Sequence, residues 1–104
     1  MWPHTVTVWR RSADESYTAE VVTGCLWEDR RGEQLHKTGA TAANGVKIYL
    51  PITAQVRAGD YVAMGAIGEP VNTARDIVAL GGLRVSAADR LEFGGLPHVE
   101  AVAG

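Results

Sequence analysis

Residues His4-Thr5-Val6-Thr7-Val8-Trp9-Arg10-Arg11 alternate in sidedness, with Val6 and Val8 on one face and Thr5, Thr7 and Trp9 on the other. A two-residue period puts successive side chains on opposite sides of a pleated backbone, and β-branched and aromatic residues fill such a surface well. The chain is therefore expected to enter a sheet almost at once, with no signal peptide, transit segment or disordered arm before it. A polar turn at Ser12-Ala13-Asp14-Glu15-Ser16 leads into a second alternating run from Tyr17 to about Trp27. Two such runs joined by a short polar loop make a hairpin, and Gly24 marks a bulge or bend in its second strand.

The same construction continues after a polar, small-residue stretch at about 28–45, the longest segment with little to bury. It reads as an extended loop with a weak strand around Leu35–Lys37. Structureless loops beyond about 12–15 residues in a compact domain tend to be functional or mobile. Val46, Ile48 and Leu50 alternate with Lys47 and Tyr49 as a third strand that Pro51 ends, since proline cannot donate to a ladder. A glycine turn at Gly59-Asp60 opens a fourth strand, Tyr61–Met64. Residues 72–81 read as a short helix capped by Asn72 or Thr73 and ended by Gly81, although Ile77–Leu80 also suits a strand. Leu83-Arg84-Val85 is a fifth strand, continuing through Leu91-Glu92-Phe93 after a turn at Asp89-Arg90, and His98–Val102 is the last. About six short strands at roughly ten-residue spacing, with at most one short helix, predict a mainly β fold: a small antiparallel β-barrel or sandwich.

The 104 residues suit one domain spanning 1–104, and 46% apolar residues with a mean hydropathy of −0.04 describe a soluble globular chain. Net charge is −2 and the isoelectric point about 5.9, which argues against a protein built chiefly to grip nucleic acid. Cys25 is the only cysteine, so no intrachain disulfide or cysteine-based zinc site can form, in keeping with a reducing cytosol. No apolar run approaches the ~20 residues that span a bilayer.

The residues carry no recognisable catalytic set. His4, His36 and His98 lack ligand spacing. If the terminal strands paired, His4 and His98 would meet with Glu100 as the nearest third ligand, but satisfied or exposed histidines are the expectation. Glu28-Asp29 adjoins Arg30-Arg31, which reads as surface pairing. Asp60 at its turn is expected to bond the backbone. Cys25 reads as a small buried thiol, and no serine sits in a nucleophile-elbow frame. The chain is thus expected to be a non-enzyme with no cofactor and no metal. The candidate partner contacts are Trp9, Arg10, Arg11, Arg30, Arg31 and Tyr49. With Val6 and Val8 inward, Trp9 faces a partner or solvent, or packs under the long loop. A second reading is a generic barrel module binding a peptide or single-stranded nucleic acid through Trp9, Arg10, Arg11 and Tyr49.

Several segments, taken in order, resemble small minor structural proteins of tailed phages and prophages. They are His4-Thr5-Val6-Thr7-Val8, Gly24-Cys25-Leu26-Trp27-Glu28, Lys37-Thr38-Gly39, Val46-Lys47-Ile48-Tyr49-Leu50-Pro51, Gly59-Asp60-Tyr61-Val62-Ala63-Met64-Gly65 and Pro97-His98-Val99-Glu100. Each is ordinary strand-and-turn chemistry; their order along most of the chain carries the resemblance. The departure is a short, alanine- and glycine-rich middle. The resemblance implies a head–tail connector subunit of the head-closure or tail-completion kind, a small barrel that assembles as a ring. Its implied partners are other neck proteins on the portal and tail sides, with DNA only as passing cargo and no membrane. Its implied place is the bacterial host cytoplasm during assembly and then the virion. Mild acidity suits a ring through which a polyanion slides.

Overall fold

The computed structural model describes residues 2–29, 45–92 and 95–104. Its elements are β1 (His4–Arg11), β2 (Tyr17–Asp29), β3 (Val46–Pro51), β4 (Tyr61–Met64), α1 (Ala74–Ala79), β5 (Leu83–Leu91) and β6 (His98–Ala103). The six strands close into an antiparallel barrel in the order β1-β2-β3-β6-β5-β4. Closure removes the unpaired edges that an open sheet would present. No helix among the described residues is long and apolar enough to cross a membrane.

The β1–β2 hairpin turns on local chemistry. Asp14 accepts hydrogen bonds from the Ser16 backbone N–H (3.2 Å) and the Ser16 hydroxyl (2.7 Å), while Glu15 takes a left-handed φ of 66°. Further along, three residues of β1 (His4 to Val6) face four of β2 (Val22 to Cys25), which is a bulge at Gly24 with φ 73°. The extra residue re-phases the strand. Val22 points inward before the bulge, and Cys25 points inward after it. A second bulge lies at Ser86, where Val85 and Ala87 oppose Ala103 and Val102, and the Ser86 hydroxyl donates to the Val102 carbonyl (3.1 Å). Hence β5 runs unbroken from Leu83 to Leu91, and the turn expected at Asp89-Arg90 is absent. The small Ser86 absorbs the irregularity instead.

The ambiguous stretch at 72–81 is helical. Thr73 caps the helix in a reciprocal box with Asp76: the Thr73 hydroxyl accepts from the Asp76 N–H, and the Asp76 carboxylate accepts from the Thr73 N–H. At the other end the Gly81 N–H bonds the Val78 carbonyl and the Gly82 N–H bonds the Ile77 carbonyl. This is the Schellman arrangement, with Gly81 left-handed at φ 90°. Gly82 lies so close that a Cβ there would stand 2.3 Å from Ile77 Cγ2.

Two cores result. Inside the barrel, Val6, Val8, Val22, Cys25, Val46, Ile48, Leu50, Val62, Val85, Val99, Ala101 and Ala103 pack together. Outside it, the segment 65–82 lies over the outer face of β1 and β4, where Trp9, Ala63 and Ile77 are buried with Tyr17, Tyr61, Ile67, Val71 and Leu80 around them. Thr7 fixes the start of that cover, donating to the Gly65 carbonyl (2.7 Å) and accepting from the Ile67 N–H (2.9 Å). Trp9 does point away from Val6 and Val8, but it is fully buried beneath this cover. Its expected role as an exposed contact anchor is therefore corrected. The reason is that the helical segment supplies an apolar layer that period-two reasoning about β1 does not contain.

Candidate functional site

The predicted contact residues separate into different places. Arg30 and Arg31, most of the 28–45 loop and His36 lie outside the described residues; Glu28 and Asp29 belong to β2. Arg10 and Arg11 stand at one end of the barrel. Tyr49 stands on the outer face of β3, in a different sheet region from Trp9. The nucleic-acid version of the second reading needed Trp9 as a stacking platform beside the arginines and Tyr49. The fold assembles no such platform.

At the barrel end, Asp60 is the organising group. Asp60 is 6% exposed, and its two carboxylate oxygens accept the backbone N–H of Arg11 (3.3 Å) and of Arg57 (2.9 Å). A turn aspartate thus ties the end of β1 to the start of β4. Arg10 ion-pairs with Glu20 across the hairpin, and its Nε–H donates to the Gln55 carbonyl (2.5 Å). Arg11 reaches Glu15 only at 3.6 Å, with both side chains more than half exposed. Arg57 was not singled out from the sequence, because only the fold brings the 55–57 segment beside β1.

On the opposite sheet, Tyr49 joins a cluster of rings and charges. The imidazole of His98 stacks on Tyr49 (centroids 5.5 Å apart, 21° between planes), and Trp2 meets both rings edge-on at 5.5 and 5.8 Å. Lys47 lies 5.3 Å from the centre of the Tyr49 ring, and Glu100 joins Lys47 (3.4 Å) to His98 (3.0 Å). All five are half-buried. The register makes the cluster: Tyr49 pairs directly with Glu100, and His98 is the next residue of β6 on the same face.

Both ring nitrogens of His98 face acceptors. Nδ1 is 2.8 Å from the Leu96 carbonyl and Nε2 is 3.0 Å from a Glu100 oxygen. Neither partner can donate while Glu100 is ionised, so both contacts are satisfied only when both nitrogens donate, and the pair favours the imidazolium form. Its pKa is accordingly raised, first by the Leu96 carbonyl and then by Glu100. Glu100 is lowered by the hydrogen bond from His98 and then by Lys47, and Lys47 is raised by Tyr49 and then by Glu100.

The remaining candidates resolve plainly. β1 and β6 are not neighbours in the barrel, so the strand pairing that would bring His4 and His98 together does not occur. His4 Nδ1 instead accepts the Trp27 backbone N–H at the bulge (2.9 Å). Among the described residues no group of three His, Cys, Asp or Glu side chains could hold a metal ion. Cys25 is buried, with its thiol pushed up to about 11 by burial, and it contacts the Val22 carbonyl at 3.5 Å. It is a core residue held far from thiolate chemistry.

The family model described as Family of unknown function (DUF6751) matches residues 1–104, and the chain belongs to that family. No curated protein and no solved structure matches it significantly.

Proposed function

We propose that this member of a family of unknown function is a non-enzymatic virion assembly subunit of a tailed phage or prophage. In this reading it sits in the head–tail connector, in a head-closure or tail-completion role, and works by protein–protein contacts in a homo-oligomeric ring. The observation that carries the contact reading is the half-buried cluster of Trp2, Tyr49 and His98 on the outer face of β3 and β6. Aromatic rings fixed on a rigid sheet make effective contact anchors, because little side-chain freedom is lost when a partner covers them. The ordered strand motifs supply the phage assignment. A closed barrel suits the role physically: it has no free edge on which to polymerise by strand addition, so neighbours must meet faces, ends and loops.

The decisive experiment is deletion of the gene from an inducible prophage. Heads without tails are expected by electron microscopy. Normal infectious particles from the deletion overturn the reading.

A further inference from the structure

The end of the barrel carries a second surface that the ring cluster does not explain. Arg10, Arg11 and Arg57 surround a cavity of about 180 Å³ whose wall also includes Gln55 and Asp60. Arg11 is shared with an adjoining groove of about 400 Å³, in which Tyr17 and Tyr61 stand edge to face at 6.0 Å. We propose that the cavity and groove together bind an acidic segment of a partner polypeptide, one carboxylate lying between the guanidiniums and a neighbouring apolar side chain lying on the tyrosines. The proposal rests on the reading of the chain as a subunit that works through protein contacts, and it names the chemistry of one such contact.

The arginines are placed by the fold. Asp60 accepts backbone N–H groups from both Arg11 and Arg57, so two arginine backbones are fixed by one buried carboxylate, and both residues line the cavity. Arg10 is oriented from two sides, by Glu20 and by the Gln55 carbonyl. The Arg57 guanidinium has no hydrogen bond or ion pair among the described residues, although it is one of the three that line the cavity. A planar fork of five donors matches a carboxylate or a phosphate oxygen pair.

The charge balance chooses between those two. At the cavity itself three arginines stand against two carboxylates, Glu20 and Asp60, which leaves about one positive charge there; a third carboxylate, Glu15, lines the adjoining groove. Glu15, 78% exposed and 3.6 Å from Arg11, is a pair weak enough to be displaced. One residual charge suits a single carboxylate. A run of phosphates, or of carboxylates, would meet an acidic chain with net charge −2 beyond the cavity, so the segment is expected to place one carboxylate there and not a polyanionic stretch. The tyrosine pair beside the cavity points the same way, because it offers an apolar seat next to an ionic one, as a peptide side chain requires and a free anion does not.

The test is fluorescence anisotropy on the full chain with three labelled probes: a short peptide of Glu, Leu and Ser, the same peptide with Gln for Glu, and a single-stranded oligodeoxynucleotide of matched length. Saturable binding of the Glu peptide is expected, weakened about tenfold or more in Arg57→Ala and about as much for the Gln peptide. Arg57→Ala removes an exposed side chain with no partner among the described residues, and an unchanged circular dichroism melt confirms that the barrel is intact. Absence of Glu-peptide binding, equal binding by Arg57→Ala, or equal affinity for the Gln peptide overturns the proposal. Tighter oligonucleotide binding that Arg57→Ala abolishes also overturns it, by assigning the cavity to phosphates. Normal particles from the prophage deletion would remove the connector role without bearing on this titration, and a flat titration would remove the site without bearing on the role.

Discussion

Replacing Trp9 separates the buried reading of this residue from the contact reading by magnitude. Trp9 is fully buried between the outer face of β1 and the segment carrying α1, and its indole Nε1 has no hydrogen-bond partner among the described residues. Trp9→Ala removes the largest fully buried side chain of the outer core, with an expected loss of about 3–5 kcal/mol. That is a large share of the ~5–15 kcal/mol that holds a domain of this size together. Trp9→Phe is the informative partner. Phenylalanine is smaller by roughly 40 Å³, which at about 24 cal/mol per Å³ of cavity costs ~1 kcal/mol, before any further loss of apolar contact. Against this, the substitution deletes a buried donor whose lost hydration costs about 1–3 kcal/mol. The two effects nearly cancel, so Trp9→Phe is expected within about 1 kcal/mol of the parent. Urea unfolding followed by far-UV circular dichroism reads both variants. If Trp9→Phe loses as much as Trp9→Ala, the unpartnered indole N–H is not a standing cost. If Trp9→Ala loses less than about 1 kcal/mol, as surface substitutions do, Trp9 is not buried and the covering role of 65–82 is refuted.

The His98 cluster predicts a titration. His98 is raised above its ordinary 6.5, so its stabilisation is complete below that value and fades as pH rises through the folded pKa; Glu100 is lowered below 4.5, so its share is complete above 4.5 and is lost as pH falls. The pair is therefore at full strength between about 4.5 and 6.5. In NMR, Glu100→Gln should move the His98 midpoint down without removing the contribution of the Leu96 carbonyl, and an unmoved midpoint would disprove the contact. At the hairpin tip, Glu15 holds a left-handed φ of 66°, and its pair with Arg11 is weak. Glu15→Asn is expected to stabilise by about 0.5–1 kcal/mol, since asparagine tolerates that conformation; a lower thermal midpoint would contradict this. The Cys25 thiol, at about 11, should resist a disulfide reagent at mildly alkaline pH until the protein unfolds, and rapid labelling of the native chain would refute its burial.

How far these sites could be read from the sequence follows from the range of the interactions that make them. Gly24 announced its bulge because positive φ is written in the residue type, and Asp60 announced its turn because an aspartate after glycine bonds nearby backbone. The helix was ambiguous, since Ile77-Val78-Ala79-Leu80 suits a strand as well as a helix; the Thr73–Asp76 box and the Gly81-Gly82 stop decide it locally. The Asp89-Arg90 turn failed for the opposite reason. The polar pair there lies in a continuing strand, Asp89 opposite the outward Glu100 and Arg90 opposite Val99, both still exposed, while the real irregularity is at Ser86, a residue with no strong turn signature. What lay beyond reach was set by register and by layering. Lys47 and Tyr49, and His98 and Glu100, are each visible as the outward pair of an alternating strand, but only the β3–β6 pairing makes them one cluster. Trp9 shows the same limit from the other side. Alternation correctly gives the face on which a side chain emerges, yet exposure depends on whether another segment covers that face, and here residues more than fifty positions along the chain do so. A partner surface built on a strand face of such a barrel is therefore to be sought where an outward row of one strand meets that of its neighbour with no layer above it among the described residues. The β3–β6 face, where Trp2, Tyr49 and His98 keep part of their rings in solvent, meets that condition and the β1–β4 face does not.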